Sequence, residues 1–569
     1  MAFVDEFPTE ARVTRLCMGV AFNALLIGGF FGLVQALHRT GYFRGFVSST
    51  DYYTVLTAHG VLLALVFTIF FLCGLFTWAV TRSLDRPVVD SRLTFGWFGL
   101  MFTGTALAGI AIFGGFFGGY GLDISADVLF TFYPPMKAHP IFYIGLALFI
   151  VGTWLAGADW FRSYFAWRSE HDGERIPLQA FMVLATMVMW YLATLGVAIE
   201  VVVFLIPWSL GLIQTVDPLL MRTLFWYFGH PVVYFWLLPA YLVWYTILPK
   251  LSGGRLFSDP LARVVFILFI LLSTPGGFHH QYMDPGIAEG FKFIAMTNTL
   301  FILLPSLLTA FTVVASMEHG ARQNGGTGRI GWLKSLPWDN PAFTGIALAG
   351  LMFAAGGFSG MINAGMNINY LIHNTLWVPG HFHLTVGTAA ALTFMAVSYW
   401  LYPQVSGKRL RLYGVAQIQP YVWFIGMVLM SNAMHRAGLL GVPRRTAEPE
   451  YPGVEYVGGV GGIGEMRLQI VIGGILLFIA VAMFLAVMGA TWLGHRGGRP
   501  LRVNGSIPEP LSSVDGSPRV LDNLRLWLII AALLVALSYS VPLWALISDG
   551  ILAPGSPPIP VWSLPPIFG

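Results

Sequence analysis

The sequence predicts an all-α membrane protein: one polytopic domain over residues 1–569 with about thirteen transmembrane helices. Three observations carry this reading. Hydrophobic residues make up 56% of the chain and charged residues only 10%, where a soluble protein of this length would carry about a quarter charged residues. Apolar runs long enough to span a bilayer recur from one end to the other. The links between them are short and hold Gly, Pro and Asp, as in Ser252-Gly253-Gly254 and Asp284-Pro285-Gly286. No stretch reads as a soluble domain, and no internal repeat of the transporter kind is present. The lipid bilayer is the expected surrounding, and nothing in the net charge of +4 suggests a nucleic-acid partner.

Each run is bounded by residues that end a helix or hold it at a membrane surface. The first, at roughly 15–38, follows Arg12 and Arg15. The second, at roughly 52–81, carries His59 about two turns in and gives way to Arg82, Arg86 and Arg92. The third and fourth, at roughly 94–118 and 139–167, lead to Arg162, Arg168 and Arg175. The fifth, at roughly 177–206, holds Glu200, a carboxylate at membrane depth to which the sequence gives no role. His230 lies near the start of the sixth, roughly 224–248, which ends at Lys250. The seventh, roughly 262–282, closes on His279-His280, and the eighth, roughly 291–317, is followed by Arg322, Arg329 and Lys334. Asn369 and His373 lie between the ninth and tenth, roughly 341–363 and 376–402, and His381 and His383 open the tenth. The last three fall at roughly 417–440, 467–493 and 523–547. A Gly-, Pro- and Glu-rich loop at about 441–466 and a polar stretch at about 495–522 separate them. Cys17 and Cys73 both sit inside apolar runs, which excludes a CxxC metal site and a disulfide framework.

Basic residues set the orientation. With the N-terminus cytoplasmic, alternation puts most of the 31 Lys and Arg inside, among them Lys408, Arg409, Arg411, Arg496, Arg499, Arg502, Arg519 and Arg525. The C-terminus is then outside. The start, with Asp5, Glu6 and Glu10, does not read as a cleavable signal peptide. On this topology His59, His230, His279, His280, His381 and His383 fall in one slab of the outer half of the membrane. Intramembrane ionisable residues are functional by default, and six at one depth are not chance burial.

The pair in Trp377-Val378-Pro379-Gly380-His381-Phe382-His383-Leu384 sharpens the point. Histidines at i and i+2 of an α-helix point about 200° apart. They cannot ligate one metal face, but they can hold two cofactors, one on each side of the helix. Two axial imidazoles saturate a haem iron and make it an electron carrier, whereas one leaves a position open for oxygen. Three imidazoles suit copper. The six histidines therefore divide as two, one and three.

His230-Pro231-Val232-Val233-Tyr234, His279-His280 and Val378-Pro379-Gly380-His381-Phe382-His383 resemble subunit I of the haem–copper oxidases. Thr57-Ala58-His59-Gly60 and Val442-Pro443-Arg444-Arg445 match as well, and the resemblance runs over all thirteen runs. It is strongest to the B-type, or ba3-like, cytochrome c oxidases of prokaryotic plasma membranes. The resemblance implies a low-spin haem, of b type, on His59 and His383, and a high-spin haem, of a type, on His381. It implies copper B on His230, His279 and His280, and Phe382 between the cofactors. Tyr234 shares a helix face with His230; the resemblance implies a covalent bond between them and a tyrosine that supplies an electron and a proton to O2. Arg444 and Arg445 are expected to pair with haem propionates, since Arg suits bidentate carboxylate binding, with His373 in the same polar roof. Asn369 stands where the resemblance leads one to expect Asp.

Tyr234, Tyr241 and Tyr245 form one stripe of the sixth run, and Ser306, Thr309 and Thr312 descend the eighth in steps of three. Together they look like the single K-type proton path of the B branch; hydroxyls that merely bond their own helix are the bland alternative. Val232 replaces the Glu that the A-type oxidases carry, so the second path is absent in its usual form. Arg222 and Asp284 are expected to form an interfacial salt bridge. No CuA motif is present, so a subunit II carrying CuA, with cytochrome c as donor and a small third subunit, is the expected company. A quinol oxidase or nitric oxide reductase of the same superfamily is the alternative, and a haem-handling membrane transporter the reading from another class.

Overall fold

Short polar side chains and prolines mark where the helices begin. Asp217, Ser258 and Asn340 accept hydrogen bonds from the first-turn amides of Leu220, Leu261 and Ala342 at 2.7, 3.3 and 3.0 Å. A proline stands in the first two helical positions after each. These are the two local devices that satisfy or remove the orphan amides of a helix start. The computed structural model describes residues 3–41, 43, 45–447, 459–495, 510–512 and 517–548. Arg496, Arg499 and Arg502 of the expected inner loop lie outside the described residues.

The chain runs through α1 (Pro8–Arg39), α2 (Ser49–Leu84), α3 (Ser91–Gly121), α4 (Pro140–Glu170), α5 (Leu178–Ser209) and α6 (Pro218–Leu251). It continues through α7 (Asp259–Leu272 with Thr274–Gln281), α8 (Glu289–Gln323), α9 (Pro341–Ala364) and α10 (Trp377–Ser406). Then come α11 (Tyr413–Leu439), α12 (Gly464–Trp492) and α13 (Leu524–Ser548). Among the described residues eleven of these are long and apolar enough to cross a membrane, and α7, bent, makes a twelfth. The thirteenth expected span, α11, is a 27-residue helix. Gln417, Gln419 and Asn432 keep its hydropathy below that of the others.

The histidine-bearing helices are the central ones. The most apolar stretch of α6 is 94% buried and those of α2 and α10 are 83% buried, against 33% for α1 and 22% for α13. The expected run at 262–282 is not one straight helix. Pro275 has no amide to give and crowds the preceding turn, and α7 bends by 54° into a tight 3₁₀ segment that carries His279 and His280. Two π-helical stretches follow expected ligands: Val61–Phe67 after His59 and Thr385–Ala390 after His383. Such wide turns recur at functional sites.

Candidate active site

One cavity of about 530 Å³ inside the bundle is lined by His59, His230, His279, His280, His381 and His383. Its size is that of a cofactor pocket, and Tyr234, Phe382, Arg444 and Arg445 line it too.

At one end, α6 and the bent end of α7 bring three imidazoles together. His230, His279 and His280 each offer a nitrogen, and these lie within 4.8 Å of one another. Surrounding bonds decide which nitrogens are free. Thr299 Oγ1 donates to the Ala295 carbonyl at 2.7 Å, so at 2.7 Å from His279 Nδ1 it accepts, leaving Nε2 as the free donor atom. His280 Nε2 and His230 Nδ1 face each other at 3.4 Å. His230 Nε2 is engaged by the Tyr234 hydroxyl at 3.2 Å. Trp226 stacks on His280 at 3.7 Å between ring centroids and fixes its plane.

The i, i+2 pair behaves as its helical geometry requires. His381 Nδ1 meets the Gly356 carbonyl at 3.0 Å and Ser359 Oγ at 3.1 Å, on the α9 side. His383 turns the other way, toward α2: its ring and that of His59 are 6.3 Å apart, with planes 20° apart. His383 Nδ1 donates to the Pro379 carbonyl at 2.7 Å and His59 Nδ1 to the Gly28 carbonyl at 2.9 Å. Both rings thus keep Nε2 free, with orientation set by the partner of the other nitrogen. Two glycines make room for these rings: a Cβ at Gly32 would lie 2.8 Å from the His59 ring and one at Gly360 2.7 Å from the His381 ring.

Above the cavity, Arg444 reaches Asn374 Oδ1 at 3.0 Å and Arg445 approaches Thr131 Oγ1 at 3.4 Å. Among the described residues neither has a carboxylate within ion-pair distance. Arg222 and Asp284 do pair, at 2.8 Å, as expected. His373 does not line the cavity; its Nδ1 meets Asn369 Oδ1 at 3.0 Å. Burial, and then the charges of Arg444, Arg222 and Arg445, push His373 down to about 4, so it is neutral around pH 7.

Residues 12–476 match the family described as Cytochrome C and Quinol oxidase polypeptide I. The chain is 40% identical to cytochrome c oxidase subunit 1 of Thermus thermophilus, over 99% of this chain and 98% of that one. The chain belongs to the haem–copper oxidases, as a ba3-like subunit I. An alternative cytochrome c oxidase subunit 1 of Bradyrhizobium diazoefficiens is 25% identical over 71% of this chain and 69% of its own length. A solved haem–copper terminal oxidase dimer superposes with a TM-score of 0.86 at 36% identity, covering 94% of this chain and 92% of that one. This haem–copper oxidase subunit is therefore a multi-pass membrane oxidoreductase, the catalytic subunit of a terminal oxidase, and works with a subunit II.

The side chains fit the haems and copper of this family. Two metal–imidazole bonds of about 2 Å plus half a ring on either side span the separation of His59 and His383. The triad offers one nitrogen from each of three imidazoles, within 4.8 Å of one another and without a carboxylate among them. Among the described residues Arg444 and Arg445 have no carboxylate within ion-pair distance, at the mouth of an apolar cavity.

The expected proton row is only partly connected. Tyr241 donates to Ser306 Oγ at 3.2 Å, and Tyr245 lies 2.6 Å from Thr309 Oγ1, which itself bonds the Pro305 carbonyl. These are two rungs between α6 and α8, and Ser306 also lines the cavity. Among the described residues Thr312 Oγ1 is buried without a hydrogen-bond partner and meets neither rung. Glu200 is buried away from the cavity, and among the described residues neither of its oxygens is bonded. Sequence reasoning missed Thr299, Ser359 and the Gly28 and Gly356 carbonyls. Each lies far along the chain from the ring it holds, and nothing local marks it.

Proposed function

We propose that this subunit takes electrons from cytochrome c, through a partner subunit carrying CuA, and reduces O2 to water with protons drawn from the cytoplasm, moving further protons across the membrane. The observation that supports this most is Tyr234 against the histidine triad, a phenol 3.2 Å from His230 Nε2. The added glutamates of a nitric oxide reductase have no counterpart in the triad.

In this reading His59 and His383 hold a low-spin haem of b type, His381 a high-spin haem of a type, and His230, His279 and His280 copper B. When bound, these groups carry electrons and bind O2. The protein's own residues do the rest. Thr299 fixes the imidazole of His279, Ser359 and the Gly356 carbonyl that of His381, and the carbonyls of Gly28 and Pro379 those of His59 and His383. Tyr234 stands ready to give an electron and a proton together. Phe382 fills the space between the two haem sites, Arg444 and Arg445 receive propionates, and neutral His373 belongs to the same polar roof. The N-terminus is cytoplasmic and the C-terminus outside, and a small third subunit completes the complex. The purified complex is expected to consume one O2 per four electrons delivered by reduced cytochrome c. Oxidation of quinol with no response to cytochrome c would overturn the donor, and nitric oxide turnover without O2 consumption would overturn the reaction.

Protons arrive along the rungs between α6 and α8. Thr309→Val keeps the shape and deletes the acceptor that Tyr245 uses. An unsatisfied buried hydroxyl costs about 1–3 kcal/mol, which on a rate-limiting transfer is a slowing of roughly tenfold or more. Turnover and proton uptake are expected to fall by that factor, with haem content and ligand binding unchanged. Wild-type turnover and uptake in Thr309→Val would make the row packing.

A further inference from the structure

Arg39, the last residue of α1, crosses to the loop that carries the arginine pair. Its two terminal nitrogens donate to the carbonyls of Pro443 at 2.6 Å and Thr446 at 2.7 Å. Those carbonyls bracket Arg444-Arg445. The same loop is tied on its other side to the approach to α10: Arg444 N donates to Asn374 O and Leu376 N to Val442 O, both at 2.9 Å. It is thus clipped between α1 and the start of the helix that carries His381 and His383. Arg445 sits in the left-handed region at φ 66°, a conformation that persists in a non-glycine residue only when its surroundings hold it.

Arg39 also lines the cavity, with His59, Arg444 and Arg445. Among the described residues none of the three guanidinium groups has a carboxylate within ion-pair distance. A cation at the end of a helix usually serves that helix's own last carbonyls. Both terminal nitrogens of Arg39 donate instead to carbonyls of a loop some four hundred residues away.

We propose that Arg39 is the positioning residue of this loop. By spanning two carbonyls it sets where Arg444 and Arg445 present their charges, and it adds a third positive charge at that end of the cavity. The planar fork is what the job needs, since an ammonium cannot hold two carbonyls in fixed register. This role rests on the reading of Arg444 and Arg445 as propionate partners.

The test uses the whole complex carrying Arg39→Met or Arg39→Lys, with two readouts: the midpoint potential of the low-spin haem, and amide hydrogen exchange of residues 442–447. Loss of a nearby cation favours the oxidised haem, so Arg39→Met is expected to lower that potential and leave the high-spin haem's unchanged. It should also speed exchange at the Arg444 amide by roughly tenfold or more, as two hydrogen bonds holding the loop are lost. Arg39→Lys should restore much of the potential but not the protection. Wild-type potential and exchange in Arg39→Met would overturn the proposal. If Arg39→Met fails to retain haem, the exchange of Arg39→Lys decides, and wild-type protection there overturns it. Arg444→Met and Arg445→Met separate the two readings. No shift in potential in either overturns the propionate assignment. A shift in them with none in Arg39→Met overturns only the role of Arg39.

Discussion

Tyr234→Phe is expected to cut O2 turnover by roughly a hundredfold or more, equivalent to about 3 kcal/mol or more on the rate-limiting barrier, while both haems stay bound and reducible. O2 needs four electrons and four protons to become two waters. In this account the phenol of Tyr234 supplies one electron and one proton together. No other tyrosine hydroxyl in the described residues bonds a histidine of the triad. Phenylalanine keeps the ring and loses both. The structural cost is small, because the hydroxyl's hydrogen bond is to His230 Nε2 and a typical bond of this kind is worth about 1 kcal/mol. Steady-state O2 consumption beside the reduced-minus-oxidised spectrum checks it. Near-normal turnover would make Tyr234 a packing residue.

His383→Ala and His381→Ala are expected to abolish turnover by different losses. His383 faces His59 across 6.3 Å, while His381 is held on the α9 side by Gly356 and Ser359. Removing His383 should delete the low-spin haem signal and spare carbon monoxide binding. Removing His381 should disturb the carbon-monoxide-binding haem and spare the low-spin one. His59→Ala should reproduce the His383 phenotype, since one missing axial imidazole is the same defect from either helix. Spectra of the three variants check this. If either α10 substitution altered only the other haem, the two-sided use of the helix would be wrong.

Much of this site was legible because its signals are local. Hydropathy located the spans, the i, i+2 offset placed His381 and His383 on opposite faces, and the i, i+4 offset put Tyr234 beside His230. Helical spacing gave the stripe of Tyr241 and Tyr245 and that of Ser306 and Thr309, but not which hydroxyl meets which. Long-range geometry was not legible. Thr274-Pro275-Gly276-Gly277 announces a break in α7, but only packing fixes the 54° bend that turns His279 and His280 toward His230. Thr312 has the right spacing yet no partner among the described residues, because periodicity gives a face and not a neighbour. His373 lies in the right segment but bonds Asn369 off the cavity. Arg39 reads as an ordinary basic residue at a helix end until the loop it holds comes into view.

In the proposed function the triad is a copper site in an enzyme that also holds two haems. Metal analysis of the purified complex, wild type against His279→Ala, tests it most directly. His279 contributes one of three nitrogens and has no part in the His59–His383 pair or in the His381 contacts. Two irons are expected in both preparations and one copper fewer per complex in His279→Ala, with O2 turnover lost. Equal copper in the two preparations, or full turnover in a complex lacking that copper, would contradict it.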